Sequence, residues 1–263
     1  MDFTTINELH KELLSLRPLN QGELKRLQTE FVIENTYDSN AIEGSTLTLE
    51  ETALLLQEGI TIAEKPMRMH LDAVGHKEAF DYVLSLVQDN ELLSERTIKE
   101  IHSLVLMNDQ DNRGIYRTLP VTIGGVHSAA ELYMIRPEME RVVAEYSDNM
   151  QGQLHSIEAI AKFHLEFETI HPFLDGNGRT GRLVMNLELM KAGYLPVNIK
   201  FQDRKTYYDC FTDYATTGNS DMLTKLVAAY EKIELKRYIS IIENSIAMED
   251  CIGKKTIKRT EKN

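Results

Sequence analysis

The twelve residues HPFLDGNGRTGR, His171 to Arg182, hold a histidine, an aspartate, an asparagine, two arginines and three glycines. Proline and closely spaced glycines oppose a helix, yet helical periodicity runs on both sides. The segment therefore reads as a turn that feeds a helix starting near Gly178. A glycine-rich turn at a helix N-terminus offers backbone N–H groups and partial positive charge to an anion. Arg179 and Arg182 stand three residues apart, so both guanidinium groups reach one side. Together these parts make an anion hole sized for a di- or triphosphate. Asp175 is an acid at its mouth, which makes sense if a magnesium ion bridges carboxylate and phosphate oxygens. Asn177 adds a neutral donor. His171 lies beside the cradle, where a general base for an incoming hydroxyl would stand. A plain connection between two core helices has no use for this set. His164, on the apolar face of the preceding helix, reads instead as a buried, hydrogen-bonded histidine. It is seven residues from His171, which is not the spacing of a helical zinc site.

The elements that must position these groups read almost entirely at helical period. Helices are expected over Thr5–Leu16, from Gln21 to a stop at Gly44, from a Thr48/Glu51 capping box to Gly59, over Arg68–Val87, and from a Ser94 cap onward. SIEAIAKFHLEFETI (Ser156 to Ile170) carries one apolar stripe and reads as a buried central helix. RGIYRTLPVTIGGVHSAAEL (Arg113 to Leu132) changes period and suggests a short β-hairpin, with Gly124 and Gly125 as its turn. After the motif, helices are expected over Lys205–Tyr214, Asp221–Tyr230 and Glu231–Glu243. No repeat and no low-complexity linker divides the chain. The fold class expected is all-α with a small hairpin.

Composition bounds the rest. The chain has 263 residues and a formal net charge of −12, which argues against broad affinity for nucleic acid or acidic membranes. The basic tail KKTIKRTEKN reads as a solvated, frayed end. Two cysteines without a CxxC or a Cys/His cluster give no disulfide framework and no structural zinc. The charged N-terminus does not read as a signal peptide, and the longest apolar runs fall far short of a membrane span. The expected setting is cytoplasmic.

HPFLDGNGRTGR resembles the signature of the Fic family (filamentation-induced-by-cAMP), HPFx[D/E]GNGRxxR, at every defined position. The resemblance extends over about residues 90 to 230. It implies a magnesium-dependent enzyme that transfers AMP from ATP to a Ser, Thr or Tyr hydroxyl of a target protein and releases pyrophosphate. His171 would take the hydroxyl proton, and Asp175 would hold magnesium between the α- and β-phosphates. Gly176, Asn177 and Gly178 would form the anion hole, with Arg179 and Arg182 on the phosphate chain. Thr180 and Gly181 belong to the same nucleotide-binding segment. Thr122, Ile123, Gly124 and Gly125 would form a flap that pairs with an extended target segment. Tyr207 and Tyr208 match an aromatic pair near the adenine of similar proteins. Gly178 separates this chain from a phosphorylating branch with lysine there, whereas a phosphocholine-transferring branch keeps much of the motif.

Upstream, YDSNAIEGS contains Ser39 and Glu43 on one helix face, followed by Gly44. This resembles the family's inhibitory motif, [S/T]xxxE[G/N]. The resemblance divides the chain into a helical extension with that motif (residues 1–89), a Fic core (90–230), and a C-terminal helix with the basic tail (231–263). Three activities remain in view: self-inhibited AMP transfer, AMP removal with Glu43 orienting a water, and a silent nucleotide-sensing module. The intact His171, Asp175 and arginines speak against the silent module. The target and any self-association into a homo-oligomer are not readable.

Overall fold

The computed structural model describes residues 2–260 apart from 124–126, 129 and 153, and leaves aside the side chains of 123–129 and of those beyond 247. Ten α-helices are present among the described residues: α1 (Thr4–Ser15), α2 (Gln21–Ile42), α3 (Leu49–Glu58), α4 (Met67–Asp89), α5 (Glu95–Val105), α6 (Ile135–Gln151), α7 (Ser156–Ile170), α8 (Asn177–Lys191), α9 (Arg204–Thr217) and α10 (Asp221–Thr260). Their starts follow side-chain chemistry. Asn20 with Glu23, and Thr48 with Glu51, form reciprocal capping boxes, and Ser94 Oγ accepts the Thr97 N–H. Their ends follow left-handed residues, Gly59 after α3 and Asn90 after α4.

The central helix is α7, as its stripe requires. Ile157, Ile160, Leu165 and Phe167 are fully buried between α6, α8 and α10. The helix α8 is buried on nearly all sides, against α7, α4, α5 and α2, so its N-terminus is fixed by four neighbours. Gly75 allows the close seating of α4 on α5, since a β-carbon there would lie 2.6 Å from the Leu104 carbonyl oxygen. The helix α1 packs along α10 and ties the two ends of the chain together.

Two expectations are corrected. The break near Tyr230–Glu231 is replaced by one helix, α10, of 40 residues, which runs into the expected frayed tail as far as Thr260; residues 261–263 lie outside the described residues. The helix has no proline, and its one glycine is Gly253, so nothing in it terminates a helix. Between Arg113 and Leu132 a minimal antiparallel ladder is present: β1 (Thr122–Ile123) pairs with β2 (His127–Ser128), Thr122 opposite Ser128. The expected turn, Gly124 and Gly125, lies outside the described residues.

Candidate active site

Helix α7 stops because His171 takes a left-handed conformation (φ 51°, ψ 61°) while its N–H still bonds the Phe167 carbonyl at 2.9 Å. Pro172 follows and cannot continue the helix. The loop to α8 is then closed by Asn177, whose amide accepts from Phe173 N–H and donates to Phe173 O, both at 2.9 Å. Asn177 is therefore a clamp for the loop, and its side chain is not the free donor expected. His102 of α5 stacks on Phe173 with ring centroids 3.7 Å apart. Its Nδ1 accepts the Gly114 N–H at 2.8 Å, so Nε2 carries the proton and donates to the Asp175 carbonyl at 2.9 Å. Burial pushes the His102 pKa down to about 4, which keeps this brace neutral.

Gly176 (φ 77°) turns the chain into α8, and no side chain caps the first turn. The N–H groups there are those a phosphate would use. Arg179 is buried and pairs with Asp72 of α4 at 3.0 Å and with Asp175 at 3.4 Å. Arg68, also on α4 and largely exposed, bonds the other Asp175 oxygen. Arg182 is 3% exposed and heavily engaged. Its Nε donates to Ser39 Oγ at 3.0 Å and its Nη2 to Ser39 O at 2.9 Å. The same Nη2 reaches Glu43 Oε1 at 2.8 Å, and Nη1 lies 3.4 Å from Tyr207 Oη. Glu43, the C-cap residue of α2, lies directly over Gly178, where any β-carbon would collide with its carboxylate.

His171 turns its Nδ1 toward the Glu168 carbonyl, 3.3 Å away. Its pKa is lowered, chiefly by burial, which outweighs the opposite pull of the Glu168 carbonyl and Glu43. The imidazole is thus neutral at pH 7. Arg117 braces the turn: its N–H bonds Pro172 O, its Nε donates to His171 O at 2.8 Å, and its guanidinium also reaches Leu119 O and Ala130 O on either side of the ladder.

The remaining expected residues fall into two groups. Thr180 and Gly181 face the core, with Gly181 against Glu168 and His164. Tyr207 is 1% exposed, bonded to His164 Nε2 at 2.7 Å, so it supports Arg182 and is too buried to face a base. His164 itself is buried, as expected. Tyr208 is half exposed and donates to Ile42 O. Thr122 is exposed on β1. The arrangement missed in the sequence is the set Arg68, Asp72, His102 and Arg117, whose roles depend on contacts between distant elements.

Asp175 is the carboxylate at the mouth of this site that a magnesium ion would use. Both Asp175 oxygens face cationic side chains, so the carboxylate already answers positive charge. Among the described residues no group of three His, Cys, Asp or Glu could hold a metal alone. A single carboxylate suits an ion that completes its shell with phosphate oxygens and water.

Residues 92–189 match the family model described as Fic/DOC family. The chain is 34% identical over 242 residues to the protein adenylyltransferase Fic of Nematostella vectensis, covering 89% of this chain and 55% of that protein. It is thus about half the length of the curated relatives it matches. A Fic domain-containing signaling protein from Bacteroides thetaiotaomicron superposes with a TM-score of 0.84 at 28% identity, covering 91% of this chain and 98% of that one. Fic-1 of C. elegans superposes with a TM-score of 0.81 at 28% identity, covering 92% and 72%. Among the described residues no helix is long and apolar enough to cross a membrane.

Proposed function

This chain belongs to the Fic/DOC family, and on that premise we propose that it transfers AMP from ATP to a Ser, Thr or Tyr hydroxyl of a protein, under self-inhibition. One observation carries the reading. A neutral histidine and a helix N-terminus with two buried arginines stand at opposite ends of one clamped loop.

Each group has a role in that chemistry. The α8 N–H groups and Arg179 bind the phosphate chain, and Asp175 holds magnesium, which would add positive charge there. His171, with Nδ1 turned to a carbonyl, has the Nε2 lone pair free to accept the acceptor hydroxyl proton. The hydroxyl oxygen then bonds the α-phosphorus as the bond to pyrophosphate breaks. The free edge of β1 would pair with an extended target segment, and Arg117 supports this by fastening the ladder to the His171 turn. Tyr208, not Tyr207, is the tyrosine placed to meet a base. Self-inhibition follows from Glu43: it occupies Arg182, which the terminal phosphate of ATP would otherwise claim. The contact is a single prong rather than the two-pronged pair that an arginine can make.

AMP removal is favoured by one feature. Glu43 is 37% exposed and engages Arg182 through one oxygen, which leaves the other to orient a water. Incubation with α-labelled ATP and magnesium, alone and with a lysate, tests the main reading. Label should appear on protein, strongly with Glu43→Gly, and be absent with His171→Ala. Label retained only from the γ-position would mean phosphate transfer instead. Release of AMP from a modified protein by the native chain alone would favour removal.

A further inference from the structure

Glu168 stands one turn before His171 on α7, and its carboxyl points inward. Oε2 is 3.8 Å from His171 Nδ1. Oε1 is buried with no hydrogen-bond partner among the described residues. The space exists because residue 181 is glycine: a β-carbon there would lie 2.5 Å from Glu168 Oε1 and 3.0 Å from His164 Cε1. A buried acid with an unmatched oxygen is costly, and an apolar side chain of equal size would fill the space more cheaply. Its value must lie in the histidine it faces.

We propose that Glu168 is a positioning residue for His171: its carbonyl holds Nδ1, and its side chain, as a carboxylate 3.8 Å away, balances the charge that His171 gains during proton removal. This rests on the AMP-transfer reading. In that step the acceptor O–H bond breaks and the proton passes to His171 Nε2. The oxygen electron pair forms the bond to the α-phosphorus, and the bond to pyrophosphate breaks. His171 then carries protons on both nitrogens, with Nδ1–H toward Glu168.

The groups that face Glu168 are His164 and His171 on α7, Arg182 on α8, Tyr207 and Tyr208 on α9, and Glu43 on α2. Burial first, then the Glu43 charge, push the Glu168 carboxyl up to about 8 against the pull of Arg182. It is mainly the neutral acid at pH 7 and the carboxylate at pH 9.

Glu168→Gln is an isosteric copy of the neutral form, which makes the pH profile diagnostic. The native rate should rise between pH 7 and 9 while the variant stays level. The gap should be roughly ten-fold at pH 9, within the range of general-base effects, and close to nil at pH 6.5. A rate lowered equally at both pH values would mean a purely structural role and overturn the proposal. A second readout needs no catalysis. Nitrogen-15 NMR of the native histidines without nucleotide should show an inflection near pH 8 at His171, lost in Glu168→Gln. A native His171 signal with no such inflection also overturns it. If the inflection is present but no AMP is transferred, the transfer reading fails and the coupling stands.

Discussion

Glu43 Oε1 and Arg182 Nη2 lie 2.8 Å apart across 139 residues of sequence, and the approach depends on the missing side chain at Gly178. The arginine is buried while Glu43 is 37% exposed, so solvent screens part of the contact. A ten-fold gain in rate needs only about 1.4 kcal/mol of relief. Glu43→Gly should raise AMP transfer at least ten-fold in the labelled-ATP assay. Unchanged or lower transfer would remove inhibition as the role of Glu43.

His171→Ala should lower transfer by about 10²–10⁴ while ATP affinity, measured by calorimetry, stays near native. The imidazole turns to the Glu168 carbonyl, outside the arginine cradle, so its removal leaves the phosphate contacts in place. Near-native transfer would end its assignment as the base.

Asp175→Ala should abolish the magnesium dependence of nucleotide affinity. Arg68 bonds this carboxylate and must release it before a cation can take its place. Arg68→Ala should therefore lower the magnesium concentration at half-maximal ATP binding. Equal ATP affinity with and without magnesium in the native chain would contradict both expectations.

Stability should peak between about pH 6 and 7. Burial lowers the pKa values of His76 and His164 to about 3 and that of His102 to about 4. Below pH 6.5 the unfolded chain binds protons that the native chain refuses, so stability falls on acidification. Burial also raises Glu231, like Glu168, to about 8. Between pH 4.5 and 8 the unfolded chain releases protons that the native acids keep, so their contribution fades as pH rises. Glu231 Oε1 accepts the Leu195 N–H, a bond the amide can keep. Glu231→Gln should raise the melting temperature at pH 8, with a gain of up to about 4 kcal/mol, and change little at pH 5. Parallel melting curves at all pH values would refute this.

The residues of the site were legible as a group because they sit in a contiguous run: His171, Asp175, Arg179 and Arg182 stand out by type and spacing. Glu43 stood out only through its resemblance to the family's inhibitory motif, and its contact with Arg182 came from the fold. Side-chain direction was not. Asn177 and Tyr207 are of the right types to touch a nucleotide, yet packing turns both inward. Arg68 and Asp72 lie on a helix whose sequence shows only ordinary surface charge, and only the docking of α4 on α8 brings them to the motif. Glu168 left a trace. An acid in line with His164 and His171 on a buried face breaks the expected polarity of that stripe. The unbroken α10 was missed because its frequent charges suggested separate amphipathic pieces.

Helices α2 and α4 supply Ser39, Glu43 and Asp72, the nearest partners of two buried guanidinium groups. On the proposed reading, brake and scaffold are thus one part of the molecule. A proteolytic cut that removed those helices would strip the restraint and, with it, the counter-charges that let the active core stay folded. On the proposed reading, truncation would therefore cost stability as it lifts the restraint, whereas a single-codon change at position 43 would lift it alone. On the proposed self-inhibited reading, a signal that releases the restraint would act in place, by moving one carboxylate rather than by discarding a domain.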